Sequence, residues 1–584
     1  MTNPPIDRRT LIRSAALGSG ALALGSALPA WARSGTHGLG APLATLSGEE
    51  IHLSIGHTMV AAGGRQGHGV GVNGMAPGPV LRLKEGQNLR LMVHNTLAEE
   101  SSIHWHGMLV PFQMDGVPGI SFPGIAPGGS YTYEFPVKQS GTYWYHSHSG
   151  MQEAMGLYGA IVIDPAGPDP VGYDREHVLI LADWSFTHPH RLLRKLKQQP
   201  GYFNRQRQTV AGLAAGKDQN AAERRQWAAM LMDPTDISDV TGAAYHYLIN
   251  GHDSAANWTA LFTPGERVRL RIINAAAMTN FNFRIPGLAM TVVAADGQNV
   301  APVETDEFQI AIAETYDVIV RPTGEGPFAI VAEALDRSGQ VRATLAPQTG
   351  MAAPIPALRE RPLLTMKDMG MGAMDHGGMD MPGMDHGQMK MRDPSVAPQV
   401  KLGPGVASLA PMPVDRTGER PTGLEQVEHR VLTYRDLRAL DPNPDHRPPT
   451  RQIDLHLTAN MERYMWSFDG EQFSERSQPI ALRHMERVRF NLINDTMMPH
   501  PIHLHGFFFE LVTGHGGHSP RKHTVNVLPG GKVSFDVTAD ALGDWAFHCH
   551  MMLHMMTGMF RIVTVRHEAG MDHSGHGDHM EHGS

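Results

Sequence analysis

The sequence predicts an all-β protein made of three copies of one β-sandwich, with a Met/His-rich insert before the third copy. Alternating β-branched and polar residues lie between Gly, Pro and Asn turns, with few long helical periods, as short strands require. One strand-and-turn plan recurs three times, and paired histidines occupy equivalent places in its first and last copies.

The first copy carries Val72-Asn73-Gly74, Glu85-Gly86, Leu89 to Asn95, then His104-Trp105-His106-Gly107. The second carries Ile249-Asn250-Gly251, Gly265-Glu266, Val268 to Asn274, then Asn280-Phe281-Asn282-Phe283. The third carries Phe468-Asp469-Gly470, Val488 to Asn494, then His503-Leu504-His505-Gly506. The second half of the plan repeats as well: Gly141 to His148 and Gly543 to His550 follow Gly128-Gly129 and Gly530-Gly531 at the same separations. These repeats place the copies at 45–165, 175–345 and 425–566. The linker then spans 346–424, with a Met-rich loop at 366–391, and a tail spans 567–584.

Residues 1–32 stand outside that plan. Arg8 and Arg9, an apolar Gly/Ala/Leu run and Ala30-Trp31-Ala32 follow the order of a twin-arginine export signal. The mature chain is therefore expected in the periplasm, an oxidising compartment, with no other stretch long and apolar enough to enter a membrane. A single cysteine cannot close an internal disulfide, so its thiol is left for metal. A length of 584 residues fits three or four domains of roughly 150 residues. The formal net charge of −9, without a basic block, argues against a nucleic-acid partner.

The lone cysteine, Cys549, sits in His548-Cys549-His550, with His554 and Met559 downstream. Two imidazoles, a thiolate and a weak thioether make a blue copper site. On a strand, neighbouring side chains point to opposite faces, so His548 and His550 should serve metal on the other side from Cys549. Overlaying the copies sets Ser101, Ser147, Gln152 and Leu157 of the first where His500, Cys549, His554 and Met559 stand in the third. The first copy thus keeps paired histidines but lacks every blue-copper ligand. With His500 and His554 assigned to Cys549, eight histidines remain, four from each end copy: His104, His106, His146, His148, His503, His505, His548 and His550. Eight neutral imidazoles at a seam between the first and last copies suit a cluster of copper ions open to a small substrate.

These clusters resemble the signature of multicopper oxidases, and nearly the whole mature chain resembles the bacterial periplasmic copper resistance protein A family. The resemblance is carried by Ser102-Ile103-His104-Trp105-His106-Gly107, Met114-Asp115-Gly116-Val117-Pro118-Gly119, Asn494-Asp495-Thr496-Met497-Met498 and Arg521-Lys522-His523-Thr524-Val525. It implies three Greek-key cupredoxin domains and four copper ions: one type 1, one type 2 and a type 3 pair. Matched by position, type 1 falls to His500, Cys549, His554 and Met559, and type 2 to His104 and His503. Type 3 falls to His106, His146, His148, His505, His548 and His550. The implied reaction passes electrons from Cys549 through the adjoining backbone to His548 and His550 and reduces dioxygen to water. Asp115 matches an acid thought to assist proton delivery, whereas a second acid carried by some relatives is replaced by Met551, Met552 and Leu553.

The linker speaks to the reductant. Met-Asp-His-Gly occurs at 374 and at 384, and thioethers, Met374, Met379, Met381 and Met384 among them, recur in a Gly/Pro context that denies a helix. Thioethers select cuprous ion, so this stretch reads as a Cu(I)-collecting loop. By resemblance to periplasmic cuprous oxidases, Met498 would join the substrate copper site, while the acid those proteins use is Thr496 here. The tail adds His573, His576, His579 and His582, a polar end suited to weak metal buffering. The expected function is a copper-tolerance oxidase taking electrons from Cu(I) and passing them to dioxygen, working beside other periplasmic copper-handling proteins. A copper-sequestering protein and a laccase for phenols or other small organic reductants are the alternatives.

Overall fold

The computed structural model describes residues 43–371 and 391–567, Glu475 excepted. The export signal, Met374, Met379, Met381 and Met384 of the loop, and the histidine tail lie outside the described residues. Among the described residues, no helix is long and apolar enough to cross a membrane.

Six sheets form three sandwiches, two sheets to each. In the first, five strands including Val80–Lys84, Tyr158–Asp164, Gly141–His146 and His104–His106 face a four-stranded sheet centred on Glu50–Ala62 and Asn88–Asn95. The second pairs a six-stranded sheet with a five-stranded one, and the third a seven-stranded sheet with a five-stranded one. In this last sheet His500–Leu504 lies beside Gly543–Cys549, as His104–His106 lies beside Gly141–His146 in the first domain. The linker end Val414–Asp415 also joins the third domain by pairing with Gly531–Thr538.

Domain 2 carries an addition that strand periodicity does not announce. Three short helices, Pro189–Gln198, Val210–Ala214 and Ala221–Ala229, leave the sandwich after Arg175–Trp184. The first buries Leu192 and Leu196, four apart on one helical face. The third starts at a capping box in which Asn220 and Glu223 satisfy each other's exposed backbone donors. Met230 and Met232 follow it and pack at the seam with the linker and domain 3.

Domain 1 has its own core around Leu91, Trp105, Tyr133 and Ile161. Domains 2 and 3 share one continuous core that runs from Phe281 and Ile272 to Phe490 and Phe547, and Trp144, Tyr158 and Val162 of domain 1 pack into it. Buried ion pairs tie the seams. Arg82 of domain 1 pairs with Glu176 of domain 2, and Arg271 pairs with Glu176 and Asp317 while donating to Thr142 of domain 1. Between domains 3 and 2, Lys522 Nζ lies 3.0 Å from Asp296 and 3.1 Å from Glu314, all three side chains being essentially inaccessible. Removing one partner of such a group strands the others' charge away from water. Lys522→Ala should therefore destabilise the protein by about 3–5 kcal/mol, read from denaturant or thermal unfolding. A loss below about 1 kcal/mol would show that the pair does not brace the seam.

Candidate metal centres

His104–His106 runs antiparallel to Gly141–His146, with His104 opposite His146 and His106 opposite Trp144. His500–Leu504 likewise runs against Gly543–Cys549, with His503 opposite His548 and Ile502 opposite Cys549. In each His-x-His pair the two-residue period sends both rings to one face. The two faces meet across the boundary of domains 1 and 3, where His104 stacks on His505 at 3.9 Å between ring centroids and His106 stacks on His503 at 3.8 Å. The expected seam between the end domains is therefore where the eight rings gather.

Their ring nitrogens sort into three groups. His106, His146 and His550 form one, His148, His505 and His548 a second, and His104 and His503, sharing His106, a third; within each, the ligand atoms lie within 4.8 Å of one another. Several of the rings are held from behind. His104 Nδ1 donates to the Asp115 carbonyl at 2.7 Å, His503 Nδ1 to the His523 carbonyl at 2.7 Å, and His548 Nδ1 to the Cys549 carbonyl at 3.0 Å. His505 Nδ1 donates to Asp115 Oδ2 at 2.9 Å. Asp115 is buried between the rings of His104 and His505, one from each domain. Gly116 makes that approach feasible: it has φ +83°, and a Cβ there would lie 1.9 Å from the Ile103 carbonyl.

The opposite nitrogens point inward. His104 Nε2, His106 Nδ1, His146 Nε2, His148 Nε2, His503 Nε2 and His550 Nε2 are buried without a hydrogen-bond partner, and His505 Nε2 and His548 Nε2 approach to 3.0 Å. So many unpaired polar atoms facing one space would be costly in an ordinary core. They form a donor set of the kind copper ions take, with the second nitrogen of His104, His503, His505 and His548 fixed by a neighbour.

A second centre lies on the other face of Gly543–Cys549. Cys549 Sγ is 3.5 Å from His500 Nδ1 and 3.8 Å from His554 Nδ1, and the two nitrogens are 3.3 Å apart. Met559 is bound to the same turn, its carbonyl accepting from Cys549 N and its N donating to the His554 carbonyl. His500 Nε2 is held by Thr496 Oγ1 at 2.7 Å, so the threonine at the expected acid position braces the ring. Met498 is fully buried beside it, its carbonyl accepting from Thr496 Oγ1 and Asn494 Nδ2.

Several contributors were not expected from sequence. Asp239 of domain 2 accepts from His554 Nε2 at 2.8 Å and from the Tyr464 hydroxyl at 2.7 Å, and burial raises its pKa to about 7. Trp466 stacks on His554 at 3.6 Å, closing the site from one side. Glu153 of domain 1 lies against His146. His523, whose sequence stretch carried resemblance only, brings another ring to 4.8 Å from His106 and leaves its Nε2 unpartnered. Of the loop, Met366, Met369, Met371 and Met391 are placed, packed with Met230, Met232, Met461 and Met497 around Trp227 and Ile237.

Three β-sandwiches with a thiolate–imidazole site in the last and an eight-imidazole pocket between the first and last define a copper-dependent oxidase architecture. The chain belongs to the multicopper oxidase family, whose models match residues 55–167, 175–353 and 446–569. It is 47% identical to copper resistance protein A of Escherichia coli over 96% of this chain and 99% of that protein. It is also 47% identical to copper resistance protein A of Pseudomonas syringae pv. tomato, with the same coverage. Among solved structures, the laccase of Botrytis aclada superposes with a TM-score of 0.60 over 90% of this chain and 88% of that one, at 22% identity, a likeness of fold. The protein is accordingly an oxidoreductase of the multicopper oxidase type.

Burial, reinforced by neighbouring rings, holds His106, His146, His148, His503, His505 and His550 well below the ordinary histidine pKa of 6.5. His500 and His554 are likewise well below it, and burial brings His548 to about 3. A histidine with a lowered folded-state pKa binds fewer protons than its unfolded counterpart, so stability rises with pH below about 6.5 and the contribution disappears above it. Other buried acids are shifted upward and act in the opposite sense, but the large upward shifts are those of Asp236, Asp239 and Glu153, and the nine imidazoles outnumber these three. The copper-free protein should therefore melt at a lower temperature at pH 5 than at pH 7.5. An unchanged or higher melting temperature at pH 5 would contradict the neutral-imidazole pocket.

Proposed function

We propose that the chain is an exported, periplasmic cuprous oxidase for copper resistance, oxidising Cu(I) at one centre and reducing dioxygen at the other. In this reading His500, Cys549, His554 and Met559 would hold the type 1 copper, and His104 and His503 the type 2 copper. His106, His146 and His550 hold one ion of the type 3 pair, and His148, His505 and His548 the other. Bound copper supplies the chemistry protein side chains lack: it accepts single electrons and gathers four for dioxygen. The observation that carries the assignment is the convergence of unpartnered ring nitrogens from both end domains on one buried space.

What the protein itself does follows from its contacts. Cys549 joins the two centres covalently, because its chain neighbours His548 and His550 face the pocket while its sulfur faces His500 and His554. Asp115 holds the His505 ring and, as a buried acid beside the pocket, is assigned here to proton delivery. Burial of the pocket keeps its imidazoles neutral, the form that binds metal.

For Cu(I) as donor, the support is the thioether cluster. Eight methionines from the domain 2 insert, the linker and domain 3 gather around Ile237, two residues before Asp239, which touches His554. Methionines in an apolar cluster also serve ordinary packing. Their soft sulfurs nonetheless suit cuprous ion, Met497 of the cluster being the chain neighbour of Met498, and resemblance to copper resistance protein A agrees with a role in copper resistance.

Cys549→Ser should abolish both the blue absorption and oxygen uptake, while copper bound by thioethers remains. Retained turnover in that variant would reject the type 1 assignment. Met230→Leu, Met232→Leu and Met461→Leu combined should keep the packing volume but raise KM for Cu(I) about tenfold, equivalent to ~1.4 kcal/mol of lost binding. Oxygen uptake driven by a small phenol should be unchanged in the triple variant. An equal loss with both donors would favour a laccase whose methionines are structural.

A further inference from the structure

In the third domain the short stretch between His550 and His554 is Met551, Met552 and Leu553, with no acid. The equivalent turn of domain 1 has been rebuilt. Ser101 and Ser147 both donate to Gln152 Oε1, at 2.7 and 2.9 Å, and Gln152 Nε2 donates to Glu99 Oε1 and to the Glu100 carbonyl. A hydrogen-bonded polar plug thus fills the place that Cys549, His500 and His554 occupy in domain 3. The plug ends in the turn Glu153–Met155, whose first residue is turned inward and is 5% exposed.

Glu153 Oε2 lies 2.8 Å from His146 Nδ1, and Oε1 lies 3.9 Å from His550 Nδ1. Oε1 is buried with no hydrogen-bond partner. One carboxylate of domain 1 therefore faces two imidazoles, one from each end domain, in the His106, His146 and His550 group. His146 Nδ1 also reaches its own chain at the Ser147 carbonyl, 3.0 Å away, a contact that says nothing to domain 3. A carboxylate behind a metal-binding histidine fixes the tautomer, aims the other nitrogen and makes it a better donor.

We propose that Glu153 is a positioning residue for this half of the type 3 pair. Its Oε2, 2.8 Å from His146 Nδ1, shares that N–H with the Ser147 carbonyl, and its Oε1 faces His550 Nδ1, so that both Nε2 atoms stay aimed at one copper ion. Domain 1 thereby supplies a buried acid at a pocket where domain 3 has none after its cysteine. The inference rests on the copper assignment made above.

The test uses the copper-loaded enzyme and the variants Glu153→Ala and Glu153→Gln. Copper per chain, the blue absorption, the number of copper ions visible by electron paramagnetic resonance, and oxygen-uptake kinetics with Cu(I) are measured together. Two coupled copper ions are silent in that resonance, so a disturbed pair shows as added signal. Glu153→Ala should keep the blue absorption and the KM for Cu(I), gain resonance-visible or lose bound copper, and lose about tenfold to a hundredfold in kcat. Glu153→Gln, whose amide oxygen can still accept from His146, should recover most of that loss. If Glu153→Ala keeps wild-type kcat and resonance signal, or if Glu153→Gln is as impaired as the alanine variant, the positioning role is overturned. Should Glu153→Ala fail to fold, the glutamine variant decides by itself, because only an accepting carbonyl is required of it. Wild-type protein without blue absorption or bound copper would instead overturn the copper assignment, a result distinct from either variant outcome.

Discussion

The structure depends on bringing eight imidazoles, four from each end of the chain, face to face in a space that excludes water. Two stacked pairs, His104 on His505 and His106 on His503, cross the boundary between domains, so neither domain owns the pocket. Such a surface has little apolar area of its own, and protonation would drive the rings apart. Its assembly relies on what surrounds it. Domain 2 shares a continuous core with domain 3, and buried ion pairs join it to domain 1 at Arg82 and Arg271 and to domain 3 at Lys522. The middle domain, which has none of the paired histidines, acts as the brace that sets the distance between the other two.

The gathering of eleven of the proposed ligands into buried groups was legible because their chemistry is written locally. A His-x-His pair on a strand declares its own face, and a lone cysteine between two histidines declares two faces at once. The repeat then showed which domain had lost which ligands. Asp239, Glu153 and Trp466 were not legible for the opposite reason. Asp239 meets His554 across 315 positions and Glu153 meets His550 across almost 400, and a single acid in a turn carries no spacing that names its partner. Thr496 shows a related limit: its position marked a missing acid, but only the fold reveals that its hydroxyl steadies His500 and that an acid from domain 2 serves His554 instead. The three helices of domain 2 also escaped the strand pattern, being short and locally capped rather than long and periodic.

Domains 1 and 3 show what duplication permits once one copy no longer needs a ligand. Where domain 3 keeps Cys549 and His554, domain 1 has Ser147 and Gln152, joined by a hydrogen bond that leaves their polar atoms satisfied. Losing a thiolate and an imidazole could have left a hole or stranded polar groups. The observed solution is a compact polar knot, with Asp115 and Glu153 of the same domain both directed at rings of domain 3. Domain 1 therefore contributes acids as well as imidazoles to the shared pocket.

The split ownership of that pocket sets a temporal order on the molecule. The strand Gly543–Cys549, which carries the final inward rings, is among the last segments of the chain to be synthesised. A polypeptide cut short before Gly543 would carry His104, His106, His146 and His148 but lack His548, Cys549 and His550, so that neither centre could be completed. Both centres therefore wait on one late strand and the residue after it, which bring His548 and His550 to the pocket and Cys549 to the other face.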